Sequence, residues 1–249
     1  MARSCRQRID QLLVRRQLVA SRTRAQSLVM AGAVFSGSRR IDKPGDLVDV
    51  DSVIEVRRPD HPWVSRGGLK LEHALDHFAI DVRDALAVDL GASTGGFVDV
   101  LVARGAAHVW AVDVGKGQLA WRLRQSPCVT VLEGVNARAL DAELIPESPG
   151  IVVADLSFIS LMTALPAALS LAAPASHLIA LIKPQFEAGR ERVGKGGIVR
   201  DPAVHRDVCT TIRTWLADTM GWRVLGIVES PVTGRTGNRE FLIAARKPG

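Results

Sequence analysis

From residue 67 to the C-terminus, short apolar runs alternate with stretches of helical periodicity, and this alternation restricts the chain more than any other feature. Runs near Leu86–Leu90, His108–Val112, Val129–Leu132, Ile151–Ala154, Leu178–Ile182, Val224–Val228 and Phe241–Ala245 are short and almost uniformly apolar. They suit strands buried on both faces. Between them lie segments of helical pattern, and ahead of the first run Gly67 and Gly68 open a helix with Leu71, Ala74, Leu75 and Phe78 on one face. Strand, helix and strand in that order predict an α/β fold, a Rossmann-like doubly wound sheet of seven strands covered on both faces.

The first 58 residues follow another pattern. Ile9, Leu12 and Leu13 make one helical stripe, and Ala25, Leu28 and Val29 make a second, with Ser21 placed as its N-cap. After Gly32 come short β-rich pieces, Ala33–Phe35, Leu47–Val50 and Val53–Val56. The expected organisation is therefore a small α+β module over residues 1–58, a Pro-broken linker over 59–64, and the large domain over 65–249. Charge divides the same way. The chain carries +6, yet residues 1–40 hold nine arginines and one acid, leaving the other 209 residues at −2. A basic module on a near-neutral body reads as one that meets a polyanion, with Arg6, Arg8, Arg15, Arg16, Arg22 and Arg24, placed among the helical positions, as candidate RNA contacts.

Other classes are disfavoured. Cys5, Cys128 and Cys209 are odd in number and widely spaced, which implies neither a disulfide framework nor a zinc site, and no secretory signal opens the chain, so a cytoplasmic location is expected. Leu156 to Ile182 has no Asp, Glu, Lys or Arg, but Pro166, Pro174 and His177 interrupt it. A helix over Leu161–Ala172, a turn and a buried strand fit it better than a membrane span. His73 and His77 are i, i+4 neighbours without a third ligand, so no metal is expected. Gly189 to Gly196 nearly spells a phosphate-binding loop but has Gly196 where that motif needs Ser or Thr.

The chemistry concentrates at strand ends. Asp89 and the turn Gly91, Ala92, Ser93, Thr94, Gly95, Gly96, Phe97 close the first run of the large domain. Such a turn brings a ligand against backbone where open α/β sheets bind nucleotides. Its spacing departs from G-x-G-x-x-G, and an aspartate just before it favours a cationic ligand such as S-adenosylmethionine over a pyrophosphate. Asp113 ends the second run, where an acid can accept from ribose hydroxyls, and Asn136 follows the third, as an adenine contact or simply a turn cap. Asp155 ends the fourth run without the Pro-Pro turn usual in amino-methylating enzymes, and Lys183 follows the fifth.

The N-terminal residues Arg8-Ile-Asp10 with Leu13, Ser21-Arg22 with Ala25, and Gly32-Ala-Val34 resemble the RNA-binding domain named after ribosomal protein S4, with Ser36-Gly37 where that family commonly has Asn-Gly. Lys70, Asp155, Lys183 and Glu240 resemble the K-D-K-E tetrad of ribose 2′-O-methyltransferases of the FtsJ (RrmJ) type. Val64 to Lys70, the Gly91–Phe97 loop, Asp113-Val-Gly, Ala154–Ser160, Lys183 to Glu187 and Gly237-Asn238 are similar to the TlyA family, bacterial rRNA (cytidine-2′-O)-methyltransferases also called haemolysin A. His61-Pro62-Trp63-Val64 stands where that family often has R-x-W-V.

The resemblance implies methyl transfer from S-adenosylmethionine to a ribose of 16S or 23S ribosomal RNA, free or in ribosomal subunits, and the Pro-broken 156–182 segment argues for no membrane partner. It also implies that the tetrad is catalytic and that Asp89, Gly91, Ser93, Thr94, Gly95, Gly96, Phe97, Asp113, Asn136 and Asp155 hold the cofactor. Lys183 is the candidate base. A free lysine titrates at about 10.4; burial with a like charge such as Lys70 is expected to lower it, while Asp155 and Glu240 oppose that shift and orient the lysines and the substrate. The alternatives are an RNA-binding protein with an inactive methyltransferase domain and a membrane-active haemolysin.

Overall fold

The computed structural model describes residues 5–57, 61–234 and 237–249. The chain divides into two compact units, Met1–Arg66 and Gly67–Gly249.

The N-terminal unit contains β1 (Arg6–Arg8), α1 (Ile9–Arg15), α2 (Arg22–Met30), β2 (Val34–Ser36), β3 (Arg39–Arg40), β4 (Leu47–Asp49) and β5 (Ile54–Val56). The two helical stripes meet in one core: Ile9, Leu12, Leu13, Ala25 and Val29 pack with Val34, Ile41, Val48 and Ile54. Ser21 caps α2, its Oγ accepting from Arg24 N at 3.1 Å. Gly32 ends that helix at φ +71°, the left-handed conformation that glycine adopts without strain.

Arg6 and Arg8 are not helical, as their place in the sequence suggested. They form β1, antiparallel to β4 with Arg6 opposite Asp49 and Arg8 opposite Leu47. The apolar stripe begins only at Ile9, so an earlier helical turn would bury nothing, whereas a strand satisfies backbone groups on both segments. Two small sheets result, the pair β1–β4 and the three-stranded β3–β2–β5.

The C-terminal unit holds α3 (Gly67–His77), β6 (Leu86–Leu90), α4 (Gly96–Ala103), β7 (His108–Asp113), α5 (Trp121–Arg124), β8 (Val129–Glu133), β9 (Ile151–Ala154), α6 (Leu161–Ala164), α7 (Pro166–Leu171), β10 (His177–Ile182), α8 (Pro184–Glu187), α9 (Pro202–Thr214), β11 (Arg223–Glu229) and β12 (Phe241–Arg246). All seven expected strands form, each within a residue of its expected ends. Their order is β11-β12-β10-β9-β6-β7-β8. β6 to β10 pair in parallel, while β12 lies antiparallel between β10 and β11. The central strands are apolar because both faces are covered: Val152, Ile179, Ala180, Ile243 and Ala244 are fully buried.

The helix expected over Leu161–Ala172 is two short helices, since Pro166 lacks an N–H and its ring opposes the carbonyl of the preceding turn. Among the described residues, no helix is long and apolar enough to cross a membrane. The chain leaves β6 in one direction to reach β7 and β8, then returns to β9 on the other side. That reversal opens a crevice at the carboxyl ends of β6 and β9, where open sheets of this kind place ligands.

Candidate active site

The turn after β6 fits tightly around the strand ends. Gly91 has φ +83°, and a Cβ there would stand 2.6 Å from the Asp155 carbonyl oxygen, so only glycine allows the two segments to approach this closely. Gly95, at φ +96°, precedes α4, into which Gly96 and Phe97 lead as buried residues. Asp113, at the end of β7, binds this turn. Its Oδ2 accepts from Ser93 N at 2.8 Å and its Oδ1 from Gly115 N at 2.6 Å. The Thr94 carbonyl accepts from Ala120 N at 3.1 Å. Asn136 Oδ1 caps the short turn that follows, accepting from Arg138 N at 3.1 Å.

Asp89 is buried, and neither carboxylate oxygen has a hydrogen-bond partner of ordinary geometry. Burial pushes its pKa well above the usual range, and the nearby carboxylates of Asp155 and Asp113 push it the same way, against a smaller pull from the Val98 backbone N–H. A ligand cation would relieve both effects. The orphaned acid beside a turn that admits no Cβ therefore fits a cationic nucleoside, and fits a pyrophosphate poorly.

Lys70 from α3, Asp155 after β9, Lys183 after β10 and Glu240 before β12 converge at this edge. Lys70 Nζ lies 2.6 Å from Glu240 Oε2 and 3.7 Å from Asp155 Oδ2, and Lys183 Nζ lies 2.6 Å from Asp155 Oδ1. Lysines and carboxylates alternate along this chain of contacts, so Lys70 and Lys183 meet through Asp155. A carboxylate stands between the two ammonium groups. Lys70, Lys183 and Glu240 are all more than nine-tenths buried. The antiparallel course of β12 is what brings Glu240, which precedes its strand, to the same edge as residues that follow theirs.

Several contributors were not singled out as site residues in the sequence. Ser157 Oγ accepts from Lys183 Nζ at 2.9 Å. Phe158 holds φ +66° and is 90% exposed, with its ring centroid 5.0 Å from that of Phe186. An exposed aromatic beside the lysines can stack on a nucleobase. Glu133, at the end of β8, gathers the loop after Asp113 by accepting from Gly117 N at 2.8 Å and Gln118 N at 3.2 Å. Gly189 to Gly196 forms no phosphate-binding loop: a 3₁₀ turn at Arg190–Arg192 leads into an isolated bridge between Gly194 and Ile198. Among the described residues, no cluster of His, Cys, Asp or Glu could hold a metal ion.

In the N-terminal unit the six candidate arginines separate by role. Arg8 and Arg22 bind the fully buried Asp10 at 3.0 and 2.9 Å, and Arg16 donates to the Ser52 carbonyl at 2.7 Å and to that of Val50. Arg6, Arg15 and Arg24 are exposed.

Strand order, strand-end acids and the lysine–carboxylate chain define a Rossmann-like methyltransferase that follows a small basic domain. The chain belongs to the FtsJ-like methyltransferase family, whose model matches residues 63–247, and the S4 domain model matches residues 7–54. It is 47% identical over 243 residues to the 16S/23S rRNA (cytidine-2′-O)-methyltransferase TlyA of Mycobacterium tuberculosis, covering 97% of this chain and 90% of that protein. It is also 47% identical over 247 residues to YqxC of Bacillus subtilis, covering 99% and 88%. A solved Streptococcus thermophilus structure, provisionally described as a hemolysin, shares 41% identity at a TM-score of 0.76, covering 98% of this chain and 90% of its own.

Proposed function

We propose that the protein transfers a methyl group from S-adenosylmethionine to a ribose 2′-hydroxyl of ribosomal RNA, at cytidine, working on ribosomal RNA or subunits in the cytoplasm. The observation that carries this reading is the continuous contact chain Glu240–Lys70–Asp155–Lys183 at the sheet edge that also holds the orphaned Asp89. The 47% identity to a TlyA enzyme supports the substrate class.

S-adenosylmethionine supplies an electrophilic methyl group on a cationic sulfur. Asp89 offers a carboxylate to the cationic part of the molecule, and Asp113, already fixed by two backbone donors, presents remaining lone pairs to ribose hydroxyls. Exposed Val114 beside it gives an apolar surface to a purine ring. A ribose hydroxyl is a weak nucleophile, so its oxygen must shed a proton as the carbon–oxygen bond forms and the carbon–sulfur bond breaks. Lys183 Nζ is the group that takes up that proton. Asp155 steadies the resulting ammonium at 2.6 Å, and the exposed Ser157 hydroxyl lies on the way to solvent. Lys70, paired with Glu240, holds Asp155 in orientation. Phe158 stacks on the base of the acceptor nucleotide, and the N-terminal unit anchors the RNA through phosphates.

All four members of the tetrad are in contact in one chain, which argues against an inactive domain. The test is incubation with radiolabelled S-adenosylmethionine and isolated 16S and 23S rRNA, free and in subunits, followed by mapping of the label. The label is expected on a cytidine ribose. Label on a base, or none on any RNA, overturns the reading.

A further inference from the structure

Glu187 is a half-buried acid that the chemistry above does not use. It ends α8, the single helical turn that begins beside Lys183, and its carboxylate reaches the segment that follows β9. Oε2 accepts from Ser160 Oγ at 2.6 Å and Oε1 from Leu161 N at 2.8 Å. Burial pushes the Glu187 carboxyl up, and these two bonds pull it back. Ser160 in turn caps α6, accepting from Met162 N at 3.2 Å.

The segment gripped in this way, residues 155–160, carries Asp155, Ser157 and Phe158. Phe158 holds a left-handed backbone that costs free energy unless its surroundings impose it. Lys183 fastens the near end of the segment, through Asp155 and Ser157, and Glu187 fastens the far end. The strained residue lies between the two fasteners.

We propose that Glu187 is a positioning residue for methyl transfer: it locks the loop after β9 onto the helix after β10, so that Ser157 and Phe158 stay in register with Lys183. This rests on the reading of Lys183 as the proton acceptor. Misplacement of a reacting group by about 1 Å can lower a rate about a hundredfold, and loss of the far fastener should displace the loop by a part of that.

The test uses the full-length chain with Glu187→Ala, Glu187→Gln, Ser160→Ala and the Glu187→Ala/Ser160→Ala double variant. In single-turnover transfer at saturating RNA and S-adenosylmethionine, Glu187→Ala should be slower by about tenfold or more, with cofactor affinity unchanged. Gln can accept from Leu161 N while donating to Ser160 Oγ, so Glu187→Gln should recover most of the rate. The double variant should be no slower than Glu187→Ala alone. Amide exchange over Ser157–Leu161, which needs no acceptor RNA, should quicken in Glu187→Ala and stay near wild type in Glu187→Gln. A Glu187→Ala protein with normal exchange in that loop, or with normal turnover per folded molecule, overturns the proposal. Equal damage in Glu187→Gln overturns it too, because the charge and not the clamp would then matter. If the wild type transfers no methyl to RNA, the functional reading fails separately, and the exchange measurement still decides whether Glu187 holds the loop.

Discussion

Replacing Asp10 with alanine separates arginines that hold the N-terminal unit together from arginines left to meet RNA. Asp10 is fully buried on α1 and accepts from Arg8 Nε at 3.1 Å, Arg8 Nη2 at 3.0 Å, Arg22 Nε at 2.9 Å and Gln26 Nε2 at 3.2 Å. Burial alone would raise its pKa, but the Arg8, Arg22 and Gln26 bonds hold the carboxyl well below the usual carboxylate range. Breaking a fully buried ion pair costs about 3–5 kcal/mol. Here the Arg8 and Arg22 side chains are 42% and 52% exposed and keep part of their hydration, so the loss should be about 2–3 kcal/mol. A unit of this size with one small core holds roughly 3–5 kcal/mol in all. The variant's unfolded fraction in that unit should therefore rise from roughly one in a thousand to roughly one in ten.

Native-state hydrogen exchange reads this directly. Amides of α1 and α2 should lose protection by about 30- to 150-fold, at about 1.36 kcal/mol per decade, while α4 in the other unit keeps its own. The sign of the pH dependence follows from the depressed pKa. The Asp10 contribution is complete above the unfolded value of about 3.9 and is lost as pH falls below it, so wild type should lose this protection in acid and Asp10→Ala should have none of it to lose. A change below about fivefold at neutral pH would refute the reasoning and return Arg8 and Arg22 to the RNA-facing set.

Four further outcomes are expected. Lys183→Ala should lower methyl transfer at least about a hundredfold with cofactor affinity preserved, and activity within about tenfold of wild type would remove Lys183 as proton acceptor. Because the Asp89 pKa is raised by burial and then by Asp155 and Asp113, a cation bound beside it should release a proton; S-adenosylmethionine affinity should rise with pH until that raised pKa is passed, and calorimetry showing no proton release on binding would contradict this. Phe158→Ala should weaken RNA binding by about 1–3 kcal/mol without changing cofactor affinity, as gel-shift and calorimetric titrations would show. Charge removal at Arg6, Arg15 and Arg24 together should make the salt dependence of RNA binding shallower by about two to three contacts at unchanged melting temperature, whereas removal at Arg8 and Arg22 should lower the melting temperature as well.

The strands were legible in the sequence because burial on both faces leaves a nearly continuous apolar run, as in Leu178–Ile182, whatever its neighbours turn out to be. The small N-terminal strands were harder to see. Arg6–Arg8 has no apolar pattern, and its conformation is set by pairing with β4, forty residues away. Lys70, Asp155, Lys183 and Glu240 could be picked out by resemblance, but nothing in their spacing told which carboxylate would lie between the two lysines. Phe158 shows the limit most clearly: no local pattern marks an aromatic side chain for exposure, and its left-handed backbone lies between serines bonded to residues 183 and 187.

By itself the sequence determined the local terms: which segments are apolar enough to become buried strands, where Ser21 caps a helix, that a glycine-rich turn follows the first strand of the large domain, and that positive charge gathers at the N-terminus. These depend on side-chain chemistry and on neighbours a few residues away. Only the tertiary structure decided that β12 runs against the sheet and delivers Glu240 to the lysines, that Asp155 stands between Lys70 and Lys183, and that half of the candidate arginines are spent on internal bonds. Each of these is a pairing across tens to hundreds of residues, fixed by which surfaces exclude water together and which buried charges then need partners.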